Sequence, residues 1–175
     1  LIVLSFFATN KELGRFTLAY KVAFLLRMLP VFFIQSALQQ ASNFNLKSKE
    51  AYKNYISKYF KVGLVITILI AMITFIFSDM IIYIFSREKI DYSSKILSIL
   101  GFIPFLAMLN FKNVIYLLVN DLKSTLNKAT FFTMIFMLLS SLILSSLYSG
   151  LGLAYALVST EIVSFIIHYY LINKK

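Results

Sequence analysis

The chain has 175 residues, of which 60% are hydrophobic and 14% charged, and its mean hydropathy is +0.84. Soluble domains average about 45–50% apolar and about 25% charged residues, so a water-soluble fold of this length is excluded. The net charge is +10, but the cations lie in short segments between long apolar runs, which is typical of membrane topology and not of nucleic-acid binding.

The apolar runs predict an all-α integral membrane protein. We expect a polytopic helical bundle with about five full transmembrane helices plus the end of a sixth, forming a single transmembrane domain over residues 1–175. The first eight residues are apolar but too few to cross a bilayer at about 1.5 Å per residue. We therefore expect the chain to begin within a helix whose upstream part is missing.

The five complete spans are predicted, in chain order, at about 14–42, 60–77, 96–119, 129–148 and 153–172. Pro30 lies near the middle of the first, and Asp79 is expected to cap or break the second before an apolar tail that ends near Phe85. Gly101 and Pro104 are expected to interrupt the third. A tight hairpin is predicted over residues 149–152, between the last two spans.

The distribution of cations predicts the orientation of the chain. One side receives nine lysines, from the segments 43–61 and 120–128 and from the C-terminus, whereas the other receives five cations. The positive-inside rule then places the C-terminus in the cytoplasm. The lysine-rich segment 43–61 also has Tyr52, Tyr55 and Tyr59 at helical spacing. It fits either an amphipathic helix on an anionic leaflet or a solvated loop with interfacial tyrosines.

Polar residues within the predicted spans are the candidates for function, because a charge at a helix centre costs roughly 2.5–3.5 kcal/mol and normally faces a cavity or a partner. At 100° per residue, three stripes emerge. The first span carries Thr17, Lys21, Gln35, Gln39 and Ser42, with Arg27 about 60° beyond them. The third carries Lys112, Asn113, Tyr116 and Asn120, and the last carries Glu161, Ser164 and His168.

Each of these residues also fits a structural role. Lys21 and Arg27 fit side chains that snorkel to the outer interface. Glu161 fits a buried partner for Lys112, and His168 fits an interfacial position near a helix end. The amides of the first span, Gln35 and Gln39 among them, fit hydrogen bonds that join helices.

Catalytic patterns are absent from the sequence. The one histidine has no serine or cysteine partner in a recognisable arrangement, and there is no paired-carboxylate motif, Walker loop or Gly-rich phosphate turn. With no cysteine, there are no disulfides or thiolate sites. We therefore predict no catalytic residues, no metal and no cofactor, and a passage or scaffold in place of an enzyme.

Three stretches carry a resemblance to a known family. "LGRFTLAYKVAFLL" resembles the opening of a helix in polysaccharide exporters, "SDMIIYIFSREKIDYSSKILSIL" is similar to their apolar tail, external turn and next helix, and "YSGLGLAYALVSTEIVSFIIHYYLI" resembles their closing hairpin and last helix. In order and spacing, the chain resembles the C-terminal part of an O-antigen or capsular polysaccharide flippase. These belong to the multidrug/oligosaccharidyl-lipid/polysaccharide exporter superfamily.

The resemblance implies the C-terminal bundle of a 12-helix exporter in a bacterial inner membrane, with alternating access to a central cavity. The implied cargo is an undecaprenyl-diphosphate-linked oligosaccharide. The implied partners are membrane lipids, the missing N-terminal helices and the polysaccharide polymerase machinery. The candidate cavity-lining residues are Lys21, Arg27, Gln35, Gln39, Lys112, Asn113 and Glu161. Lys21, Arg27 and Lys112 would hold the diphosphate, and Glu161 would pair with one of them or take up a coupling proton.

Three other functions fit parts of the pattern. A drug or lipid-precursor exporter of the same superfamily is the nearest, although an exporter of cationic drugs should present acidic residues at the midplane, where cations predominate here. A membrane-embedded glycosyl- or acyltransferase should show an acidic or histidine motif at a membrane face. A non-functional remnant is the third alternative.

Overall fold

The computed structural model describes residues 1–174, and all the regular structure in that range is helical. The expected all-helical fold is thus confirmed. The helices are α1 (Ile2–Ser5), α2 (Asn10–Lys47), α3 (Lys49–Ile76), α4 (Ser78–Ser86), α5 (Asp91–Leu100), α6 (Ile103–Leu109), α7 (Phe111–Val119) and α8 (Lys123–Asn173).

Four helical stretches among the described residues are long and apolar enough to cross a membrane, which supports the expected multi-pass membrane protein. They are Asn10–Lys47, Lys49–Ile76, Asp91–Leu109 and Lys123–Asn173.

Helix α8 is a hairpin of two arms that meet at Ser149, whose backbone has φ 52° and ψ −130°. We call residues 123–148 the first arm and residues 150–173 the second arm. Close to the turn, Gly152 lies against the backbone of Leu144, and further from it residues 132–139 of the first arm and residues 163–171 of the second line one groove. The arms are therefore antiparallel, and the hairpin predicted at residues 149–152 is confirmed.

Two glycines allow the hairpin to close. The N–H of Gly150 donates a hydrogen bond to the Tyr92 hydroxyl at 3.1 Å, which ties the turn to α5. A Cβ atom on Gly152 would overlap the backbone carbonyl of Leu144, so the start of the second arm lies directly on the backbone of the first. Any side chain at Gly152 would force the two arms apart.

The second and third spans are broken where the sequence predicts and at one further position. The second breaks at Phe77, and Asp79 lies just beyond the break, in the first turn of α4, without making a capping hydrogen bond. The third breaks at Gly101, just before Pro104 in the first turn of α6. It breaks again at Asn110, between α6 and α7, which no proline or glycine signals.

The lysine-rich segment 43–61 differs from both sequence interpretations. It is neither a loop nor a separate surface helix, because α2 runs to Lys47 and α3 begins at Lys49, with Ser48 alone between them. Ser48 begins α3 by accepting a hydrogen bond from the Ala51 N–H. The tyrosines of the segment pack inward against α2 and α7, and the Tyr55 ring makes tilted contacts with the rings of Phe44 and Tyr59. Aromatic side chains gain more from packing than from exposure, and α2 is long enough to cover these tyrosines.

The buried apolar residues form two clusters. The hairpin-end cluster contains Leu4, Phe16, Ala19, Val22, Ala23, Ile82, Ile96, Leu97, Leu100, Ile103, Leu153 and Ala154. The lysine-end cluster contains Ala37, Ala41, Ile56, Met108, Phe111 and Ile115. Both include residues of α2, which runs the length of the bundle through Pro30 without a break.

Candidate functional site

An ion pair lies between the two clusters, at the middle of two long helices. The Arg27 guanidinium contacts a carboxylate oxygen of Glu161 at 2.8 Å. Arg27 lies close to the midpoint of α2, and Glu161 close to the midpoint of the second arm. Among the described residues it is one of two ion pairs, the other being the exposed Lys123–Asp121 pair.

The surroundings of the two partners differ. The Glu161 side chain is 13% exposed, whereas the Arg27 side chain is 47% exposed. Both line a cavity of about 20 Å³ together with Tyr20, Thr160 and apolar side chains. This volume holds about one water molecule, and the two charges with the neighbouring hydroxyls provide the polar partners that a water needs. The Glu161 side chain is thus largely enclosed, while the Arg27 side chain lies partly on an open face of the bundle.

This arrangement identifies the partners of both residues. Glu161 pairs with Arg27 and not with Lys112, so its assignment as a partner of Lys112 is wrong. Arg27 lies too far from either end of α2 to snorkel, and it is held by a carboxylate instead. Charges at the centre of a spanning helix are costly, at roughly 2.5–3.5 kcal/mol each, and such residues normally mark a pathway or a pair.

The other candidates on α2 lie along its exposed side. Lys21, Gln35 and Gln39 are all exposed, and none makes an ion pair among the described residues. Between the polar ends of this side lie exposed apolar residues, including Phe24 and Phe32. The polar stripe of α2 therefore lies on an exposed face, but apolar residues interrupt it in the middle, where Arg27 lies at its edge.

Lys112 and Asn113 are placed apart from the ion pair. The Lys112 ammonium lies 4.4 Å from the centre of the Phe60 ring, where a cation is attracted by the ring face. Asn113 donates a hydrogen bond from its amide to Asn110 at 3.1 Å. The structure thus brings together two of the seven candidate residues, Arg27 and Glu161, and leaves the others at separate positions.

A polar cluster missed by the sequence analysis lies at the α6–α7 break. Asn110 is buried, and its amide nitrogen lies 3.2 Å from Nδ1 of His168 and 3.4 Å from the Ser164 hydroxyl. His168 Nδ1 also lies 2.7 Å from the Ser164 carbonyl. His168 is 5% exposed, so its side chain is packed inside the bundle. Only the spacing of Ser164 and His168 on one helix face signalled this cluster.

We expect Asn110→Ala to lower the free energy of unfolding by about 1–3 kcal/mol, because it leaves buried polar groups without a partner. Asn120→Ala is the matched control, since Asn120 is exposed and its side chain bonds only the carbonyl of Tyr116 on the preceding turn. Thermal unfolding of the purified protein in detergent measures both variants. An equal loss of stability in the two variants would show that the buried cluster at the break contributes no more to stability than an exposed side-chain hydrogen bond.

Comparison with known proteins finds no family model, curated protein or solved structure that matches the chain significantly. Among the described residues, no group of three or more metal-binding side chains is present either. The fold and the site therefore define an all-helical membrane protein with an ion pair between its spans.

Proposed function

We propose that this chain is the C-terminal bundle of a flippase that moves undecaprenyl-diphosphate-linked oligosaccharide units across the bacterial inner membrane for O-antigen or capsule synthesis. The observation that carries the proposal is the Arg27–Glu161 pair, held at mid-span with the Arg27 side chain half exposed. In this proposal the chain crosses the membrane five times, the two arms of α8 counting separately, and its C-terminus lies in the cytoplasm.

The chemistry of the pair suits an anionic cargo. A guanidinium binds phosphate through two parallel N–H donors, and it stays charged at any physiological pH. Glu161 neutralises Arg27 while no cargo is bound, and a diphosphate then competes with the carboxylate for the same donors. The enclosed Glu161 carboxylate is free to take up a coupling proton when the diphosphate displaces it.

The exposed side of α2 has the polar groups expected of a helix that lines a cavity. A lipid-facing helix has no need of the polar groups at Lys21, Gln35 and Gln39, whereas a helix that lines a hydrated passage does. In the proposal, this side faces the N-terminal helices of the exporter across the passage. The exposed aromatic residues between the polar ends are suited to stack against sugar rings.

The proposal predicts a specific defect when the gene is deleted from its host. Surface polysaccharide should be lost, and the lipid-linked repeat unit should accumulate on the cytoplasmic leaflet, because synthesis continues while translocation stops. Lipid extraction with mass spectrometry measures the accumulated unit, and staining of intact cells measures the polysaccharide. Expression of the wild-type gene from a plasmid should reverse both changes.

The same strain distinguishes the alternatives. Normal polysaccharide together with increased sensitivity to drugs would indicate a drug exporter and not a flippase. Polysaccharide that reaches the surface but lacks a sugar or acyl group would indicate a membrane-embedded transferase. A strain with no change at all would contradict every one of these functions, and the chain would then be a non-functional remnant.

A further inference from the structure

A second group of cations lies at the lysine end of the bundle, in a pocket separate from the ion pair. Lys53 of α3 and Lys112 of α7 line this pocket, which has a volume of about 280 Å³. Tyr52, Ser57 and Tyr116 contribute hydroxyl groups, and Ile56 contributes an apolar surface. Neither lysine takes part in the two ion pairs found among the described residues.

The charge of the pocket is therefore uncompensated within the described structure. Its lining residues include two lysines and three hydroxyl-bearing side chains, and no acidic residue. The contact between Lys112 and the Phe60 ring holds the side chain in place without neutralising it. Two cations that line one open pocket repel each other, and an anion that binds both removes this repulsion.

The position of the pocket along the helices selects the kind of anion. Lys53 lies in the second turn of α3, and the long apolar run of that helix begins only at Val62. The pocket thus lies where the polar end of the bundle meets its apolar part, the depth at which lipid headgroups and interfacial tyrosines are found. Basic pockets between helices at this depth bind phosphate-bearing headgroups.

We propose that the Lys53–Lys112 pocket binds a phosphate group, with the two ammonium groups on its oxygens and the tyrosine and serine hydroxyls as further donors. A phosphate at this depth comes from an anionic membrane lipid or from a soluble phosphate ester. The site is independent of the proposed transport function, since Arg27 and Glu161 line a different cavity.

Native mass spectrometry of the purified full chain tests the proposal. The probes are phosphatidylglycerol, phosphatidylcholine, oleate and inorganic phosphate, each titrated into the same detergent. We expect phosphatidylglycerol to bind in preference to phosphatidylcholine. Each single variant, Lys53→Gln or Lys112→Gln, should bind it roughly fivefold more weakly and the double variant roughly 25-fold, from about 1 kcal/mol for each lysine near a membrane surface.

Two controls separate charge from folding. Replacing both lysines by arginine keeps the charges, so binding should remain within about twofold of wild type. Lys128→Gln removes one lysine from a pocket on α8 in which it is the single cation, and it should leave binding unchanged. Size-exclusion profiles establish that each variant is folded, and the single variants decide the outcome where the double variant does not fold.

The outcomes separate the sources of the phosphate. Binding of phosphatidylglycerol that inorganic phosphate does not displace indicates a lipid, whereas binding of phosphate alone indicates a soluble ester. Wild-type affinity in both single glutamine variants would overturn the site. Oleate that binds as tightly as phosphatidylglycerol would overturn the assignment to phosphate, because any anion would then suffice.

Discussion

Replacing Gly152 by alanine is expected to push the two arms of α8 apart and to lower the free energy of unfolding by about 3 kcal/mol or more. The added Cβ atom would overlap the carbonyl of Leu144, which is backbone and has no rotamer to adopt. Overpacking a side chain into a filled site costs about 1–3 kcal/mol, and a clash with backbone lies at or beyond the upper end of that range. Because folded proteins have a margin of only about 5–15 kcal/mol, this one methyl group removes a large part of it.

Gly14→Ala provides the matched control, since the same atom added there meets nothing within 4 Å. Gly14 lies inside α2, and alanine favours a helix over glycine by about 1 kcal/mol, so this variant should be as stable as wild type or more so. The measurement is the fraction of each variant that stays monodisperse in size-exclusion chromatography after heating in detergent. If Gly152→Ala behaves like Gly14→Ala, the close contact between the arms does not exist in solution.

The sequence predicts those features of the fold that arise from single residues with strong local preferences. Pro104 and Gly101 mark one break of the third span, and the glycines after Ser149 mark the hairpin. The break at Asn110 is different, because it is stabilised by His168 and Ser164, which are more than 50 residues away in the chain. Such a break depends on tertiary contacts, which periodicity along one helix does not contain.

The candidate site shows the same division. Helical periodicity identifies Arg27 and Glu161 as polar residues at mid-span, but it leaves open which cation the carboxylate meets. The choice of Arg27 over Lys112 depends on how the second arm packs beside α2, and that packing depends on the hairpin at Ser149. For a related reason, the sequence does not show that the tyrosines of α3 pack inward. An amphipathic face has the same residue spacing whether a lipid surface or a neighbouring helix covers it.

Separating the two partners of the Arg27–Glu161 pair is expected to have unequal effects on stability. Arg27→Met leaves a carboxylate whose side chain is 13% exposed without a cation, and because removal of one partner costs about 3–5 kcal/mol in a fully buried pair, we expect a loss of up to that size. Glu161→Gln leaves an arginine whose side chain is 47% exposed, so the loss should be clearly smaller. Lys123→Met in the exposed pair with Asp121 should change stability little, because surface pairs contribute at most about 1 kcal/mol.

The double variant Arg27→Met with Glu161→Leu then separates structure from transport. Replacing both charges by apolar residues of similar volume is often neutral for stability, so the double variant should unfold near the wild-type temperature and be more stable than Arg27→Met alone. Surface polysaccharide should nevertheless be lost at normal protein level, because no guanidinium remains for the diphosphate. Normal polysaccharide in a stable double variant would reduce the pair to a structural contact. A double variant as unstable as Arg27→Met would instead show that the two charges act independently, since only coupled residues restore each other's loss.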